Sequence, residues 1–127
     1  YPNTPSGMPG VQTLLPIMLD HVNAGKLSLM RLIDLLCEGP NRLFSIVAKG
    51  RLAVGYDADY TLVDMAESRE ISDSWIAAKC GWTPFSGMTV TGWPVGTIIR
   101  GQTIMRDGQL IGSPKGERLR FYEGSGP

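Results

Sequence analysis

The sequence predicts an α+β chain in which helices come first and strands follow, with the change at Gly50. Three observations carry this: helical spacing of apolar residues in the first fifty positions, period-two patterning afterwards, and an Asp-Gly pair near the end. Val11, Leu14, Leu15, Met18, Leu19 and Val22 recur at helical spacing and predict a helix over 11–24, with Gly25 as its stop. Ser28 is a candidate N-cap for a second helix, Leu29 to Cys37, which Gly39 and Pro40 are expected to end. A short third helix from Pro40 uses proline in the first turn, where its missing N–H costs nothing, and should carry Leu43, Phe44 and Val47 inward.

Beyond Gly50, short strands are expected at Leu52–Val54 and at Tyr60–Asp64, the latter with a largely buried centre. Residues 74–94 are aromatic and poorly periodic and read as loop. Thr97–Arg100 and Gln102–Arg106 read as strands joined at Gly101, and Asp107-Gly108 is a strong hairpin signal with Leu110 and Ile111 returning. The tail from Ser113 has little core material and is expected to be mobile or wrapped on a neighbour. The division is therefore 1–50 and 51–127.

Composition narrows the function. The 127 residues suffice for one domain, and a chain of this size can hide roughly 65% of its unfolded surface. Twelve basic and twelve acidic residues leave no net field to attract nucleic acid or an anionic membrane. The apolar run Leu14–Leu19 is broken by Pro16 and falls far short of the ~20 residues that span a bilayer, so the chain reads as soluble. Without a secretory leader pattern, Cys37 and Cys80 are expected as reduced thiols in a cytoplasmic protein. Tyr1 opens the chain inside a Pro/Gly-rich segment that reads as the middle of a loop, so further chain is expected upstream.

Catalytic groups are sparse. His21 is the single histidine and cannot complete a zinc site alone, so a surface or interface role is expected on the polar edge of the first helix. Neither cysteine has an activating base nearby in sequence. No glycine spacing cradles phosphate. Trp75, Trp82, Phe85 and Trp93 could form a stacking surface, but without interleaved basic residues packing is the better reading. Asp57 and Asp59 invite a paired-carboxylate reading, yet Asp57 is explained as a turn former and Asp59 as a local backbone acceptor.

Three stretches resemble a known family. Thr4-Pro5-Ser6-Gly7-Met8-Pro9-Gly10-Val11-Gln12-Thr13, followed by Leu15-Pro16, looks like the loop after the last barrel strand of dihydroorotases. Gly39 to Phe44 with Lys49 to Asp59 resembles the segment by which amidohydrolases leave their barrel, a pattern shared with hydantoinases, allantoinases, ureases and deaminases. Gly81 to Gly87 with Val90 to Gly101 is similar to the C-terminal region of bacterial dihydroorotases.

The resemblance implies the last helices of a (β/α)₈ barrel followed by C-terminal strands of a small β-sandwich. The parent enzyme would use zinc to interconvert N-carbamoyl-L-aspartate and (S)-dihydroorotate in pyrimidine biosynthesis. It further implies that the histidines, carboxylated lysine and aspartate of the metal centre precede this segment, so that no catalytic or metal residue carries over. Ser6 and Gly7 do map, to a loop that closes over the cyclic substrate through backbone groups, against the plainer reading that they only turn the chain. Gln12 stands where the family often has glutamate. Two alternatives stay open: another cyclic amidase of hydantoinase or allantoinase type, and a non-catalytic dihydroorotase-like scaffold. The apolar helix faces imply cover by the remainder of the enzyme or by a second copy.

Overall fold

The computed structural model describes residues 7–113 and 116–122. Helix α1 runs Leu14–Asn23 and helix α2 Leu29–Ile33; a π-helical turn over Asp34–Glu38 leads into α3, Gly39–Phe44. Strands β1 (Tyr60–Glu70), β2 (Thr89–Ile99), β3 (Gln102–Arg106) and β4 (Gln109–Leu110) follow, and they form a sheet in the order β1-β2-β3-β4. Helices thus precede a sheet whose β2–β3 and β3–β4 pairs are antiparallel, as the sequence pattern predicts.

Packing divides the chain into two compact units, each built from separate stretches. The first holds the described residues up to Lys26 together with Asp64–Trp93. Its core is Ile71, Val90 and Trp93, with Ile17, Trp75, Phe85 and Met88 packed around them. Helix α1 docks on this core by a close approach: a Cβ on Gly92 would lie 2.6 Å from the Cβ of Leu19, and Gly92 has φ +107°. Polar clamps complete the docking. The Thr91 N–H donates to the Asp20 carboxylate at 3.0 Å, and the Asn23 amide donates to the carbonyls of Met65 (3.0 Å) and Thr91 (2.7 Å).

The second unit holds Leu27–Val63 and the described residues from Pro94 onward. Ser28 caps α2, accepting from the Arg31 N–H at 3.2 Å. Gly39 and Pro40 do not end the helical run, contrary to expectation. Proline has no N–H and its ring crowds the carbonyl four residues back, and the helix accommodates it by widening into the π turn, where the Gly39 N–H reaches the Asp34 carbonyl. The outward position of α3 is a second correction: Leu43 is 80% and Phe44 65% exposed.

Three strand expectations also change. Leu52–Val54 is not a strand, and both Leu52 and Val54 are exposed. Strand β1 extends to Glu70, and its Leu62 and Val63 are exposed rather than buried. Thr89–Pro94, read as loop, belongs to β2. The hairpin signal holds: Asp107 and Gly108 both have positive φ (49° and 78°), as a two-residue turn matched to strand twist requires. The described tail pairs back on its own chain, the Val47 N–H donating to the Arg120 carbonyl and the Tyr122 N–H to that of Ser45, both at 2.8 Å.

Candidate functional site

Of the two expected substrate-facing residues, Ser6 lies outside the described residues. Gly7 is exposed with φ +83°, and a Cβ there would meet no described residue within 4 Å, so its glycine is needed for conformation and not for lack of room. The loop from Gly7 to Gly10 enters α1 through a tight turn. The Leu14 N–H (3.0 Å) and the hydroxyl of fully buried Thr13 (3.3 Å) both donate to the Gly10 carbonyl.

Gln12 ties this turn to a stretch more than sixty residues away. Its Nε2 donates to the Trp75 carbonyl at 2.7 Å, and its Oε1 accepts from the Ala77 N–H at 2.8 Å. Trp75 in turn packs on Trp93 with ring centroids 4.7 Å apart, and the Arg69 guanidinium lies 5.3 Å from the centre of the Trp93 ring. The loop is therefore anchored to the hydrophobic core of its own unit. Met8, Val11, Leu14, Ile17, Met18 and Phe85 line an open apolar cleft beside it of about 450 Å³. The packing role expected of the aromatic residues applies to Trp75, Phe85 and Trp93, whereas Trp82 stands apart, 36% exposed.

No local sequence pattern connects Gln12 to these partners; the departure from the family's frequent glutamate marks the residue without naming them.

The remaining candidates have structural partners. Asp57 and Asp59 converge on the Lys49 ammonium, which lies 2.9 Å from Asp57 and also binds Asp59. Asp59 further accepts the Arg100 N–H at 2.8 Å, and the Arg100 guanidinium bonds Glu117 at 2.7 Å. These contacts hold Arg100 at its positive φ of 49° in the β2–β3 turn. The Lys49 hydrogen bond, with the charges of Lys49 and Arg100, holds the Asp57 carboxyl below the usual carboxylate range. Burial alone would raise Asp59, but the bonds from Lys49 and the Arg100 N–H outweigh it and lower that group too. Both aspartates are committed to this cluster, which is a staple and not an acid–base pair.

His21 sits on α1, partly buried, with its Nδ1 shielded and without a hydrogen-bond partner among the described residues. Cys37 and Cys80 are free and exposed, and partial shielding of the thiol pushes Cys37 upward, the wrong direction for a nucleophile. Among the described residues no three His, Cys, Asp or Glu side chains are grouped to hold a metal ion. No helix among them is long and apolar enough to cross a membrane.

The sequence profile of the Amidohydrolase family matches residues 8–104. The chain belongs to the amidohydrolase family. A dihydroorotase of Methanothermobacter thermautotrophicus is 39% identical over 109 residues, which cover 86% of this amidohydrolase chain and 25% of that protein. An L-hydantoinase of Paenarthrobacter aurescens is 41% identical over 108 residues, covering 84% and 24%. Among solved structures, an L-hydantoinase (dihydropyrimidinase) from Arthrobacter aurescens superposes with a TM-score of 0.80 at 40% identity, again over 84% of this chain and 24% of that one. The chain thus spans about a quarter of the length of these amidohydrolase relatives.

Proposed function

We propose that the chain is the C-terminal portion of a zinc-dependent dihydroorotase that interconverts N-carbamoyl-L-aspartate and (S)-dihydroorotate in cytoplasmic pyrimidine biosynthesis. The observation that carries this reading is the Gly7–Gly10 loop, whose Gly7 meets no described side chain or backbone within 4 Å of a Cβ position while Gln12 and Thr13 hold its base. A main-chain loop of this kind can approach a flat ring closely and offer N–H groups to a ring carbonyl. The dihydroorotase relatives at about 40% identity support the substrate assignment.

In this reading residues 1–50 contribute the end of a (β/α)₈ barrel and 51–127 part of a β-sandwich. Ser6 and Gly7 cover the substrate. The described residues offer no fitting donor set for zinc; in this reading the metal and the groups that act on its bound water belong to the rest of the parent protein. That remainder also covers the apolar residues Leu29, Met30, Ile33, Leu43 and Phe44, which stand exposed in the second unit. The parent acts on a small cyclic amide and needs neither nucleic acid nor membrane.

A second reading, a hydantoinase, draws support from the L-hydantoinase structure at TM-score 0.80. Turnover of dihydroorotate, hydantoin and allantoin by the intact parent protein, measured alongside its zinc content, separates the readings. Preference for dihydroorotate with stoichiometric zinc is expected. Preference for hydantoin selects the second reading, and turnover of none of the three removes both in favour of a non-catalytic scaffold.

A further inference from the structure

We propose that Gln12 is a positioning residue for substrate binding, and that it acts through a neutral two-way amide clamp setting the Gly7–Gly10 loop against the Trp75–Ala77 stretch. The proposal rests on the reading that this loop covers the cyclic substrate. Gln12 faces one acceptor and one donor: the Trp75 carbonyl at 2.7 Å and the Ala77 N–H at 2.8 Å. That pair of partners fixes the amide orientation, since only nitrogen can serve the carbonyl and only oxygen the N–H.

The loop side of the clamp is rigid. Thr13 is fully buried, and both its hydroxyl and the Leu14 N–H hold the Gly10 carbonyl. The far side is rigid as well, because Trp75 packs on the buried Trp93. Gln12 therefore transmits the position of the core to the loop.

A glutamate at position 12 is a selective probe. Its carboxylate can accept from Ala77 but has no proton for Trp75, so two acceptors would oppose each other. The neutral acid restores both bonds, its O–H donating to Trp75 and its carbonyl oxygen accepting from Ala77. In the Gln12→Glu chain the folded state therefore favours the protonated acid. The clamp is present below the unfolded glutamate value of about 4.3 and is lost as pH rises through the higher folded value. The charged and titratable side chains on the segments that meet here, Asp20 and His21 on α1, Asp73 and Lys79 around the facing stretch, and Arg69 on Trp93, are the same in both chains. Variant-to-wild-type ratios thus isolate position 12.

The experiment measures kcat and KM for dihydroorotate hydrolysis, together with the thermal midpoint, between about pH 5 and pH 8 in the intact parent protein carrying Gln12, Gln12→Glu or Gln12→Met. For Gln12→Glu the expected result is a KM about tenfold above wild type at the alkaline end, with kcat within about twofold, because the loop has lost order and not chemistry. Both its KM ratio and its midpoint deficit shrink toward wild type as pH falls. Gln12→Met shows a raised KM at every pH. A KM ratio for Gln12→Glu that does not change with pH, a loss confined to kcat, or a Gln12→Glu protein equal to wild type throughout overturns the proposal. If the wild-type protein does not turn over dihydroorotate, the functional reading fails separately. The clamp is then decided by the midpoint alone: recovery of the Gln12→Glu deficit toward acid supports it, and a flat deficit refutes it.

Discussion

Helix α1 and the helical run from α2 to α3 are both amphipathic by sequence, yet they are held in opposite ways. Helix α1 buries Pro16 and Leu19, leaves no room for a Cβ on Gly92, and is locked by Asp20 and Asn23 onto backbone groups of the sheet region. The α2–α3 run buries only Leu32 among its described residues. It is held instead by exposed ion pairs: Asp34 bridges Arg31 and Arg42, each at 2.6 Å, and Glu38 binds Arg51. Exposed pairs of this kind contribute little. The contrast teaches that apolar periodicity identifies a face that seeks cover but not which part of the protein supplies it.

That contrast can be broken most forcefully at Trp93. Trp93→Ala removes the largest core side chain of the first unit and should cost about 4 kcal/mol in denaturant unfolding. Gly92→Ala should cost about 2–3 kcal/mol, because the new Cβ collides with Leu19 and the residue is strained at φ +107°. A cost below about 0.5 kcal/mol at either site would contradict the packing described for α1.

Acid sharpens the comparison within the second unit. Asp57 and Asp59 are both lowered in the folded chain, so their contribution is present above the unfolded aspartate value of about 3.9 and is lost as pH falls through the folded values. Replacing both by asparagine should flatten the fall in stability below about pH 4, read by unfolding at stepped pH. An unchanged slope would remove the staple from the account. The smallest effect is expected at Leu43. At dilutions where the 127-residue chain is monomeric, Leu43→Ala should change stability by less than about 0.5 kcal/mol, because its side chain faces solvent in the single chain.

Local signals were legible in the sequence. The apolar spacing of α1, the Ser28 cap and the Asp107-Gly108 turn depend on neighbours a few residues away, and the structure has all three. Strand β2 escaped because Gly92, Pro94 and Gly96 read locally as turn residues. In the fold Gly92 is instead the point where α1 comes closest. Periodicity carries no information on cover, so it does not give the outward direction of Leu43 and Phe44. For the loop, the resemblance marked Ser6 and Gly7, and Gly7 has the positive φ that a glycine tolerates. The support of the loop by Gln12 was out of reach, since its partners lie at Trp75 and Ala77 and no spacing rule connects them.

In the proposed parent protein, the exposed apolar residues of the α2–α3 run form an internal surface. Sedimentation equilibrium of the 127-residue chain, with and without Leu43→Glu and Phe44→Glu together, measures whether that face seeks cover. Self-association that the double substitution abolishes is the predicted result. A monomer at every concentration, indifferent to both substitutions, would contradict it.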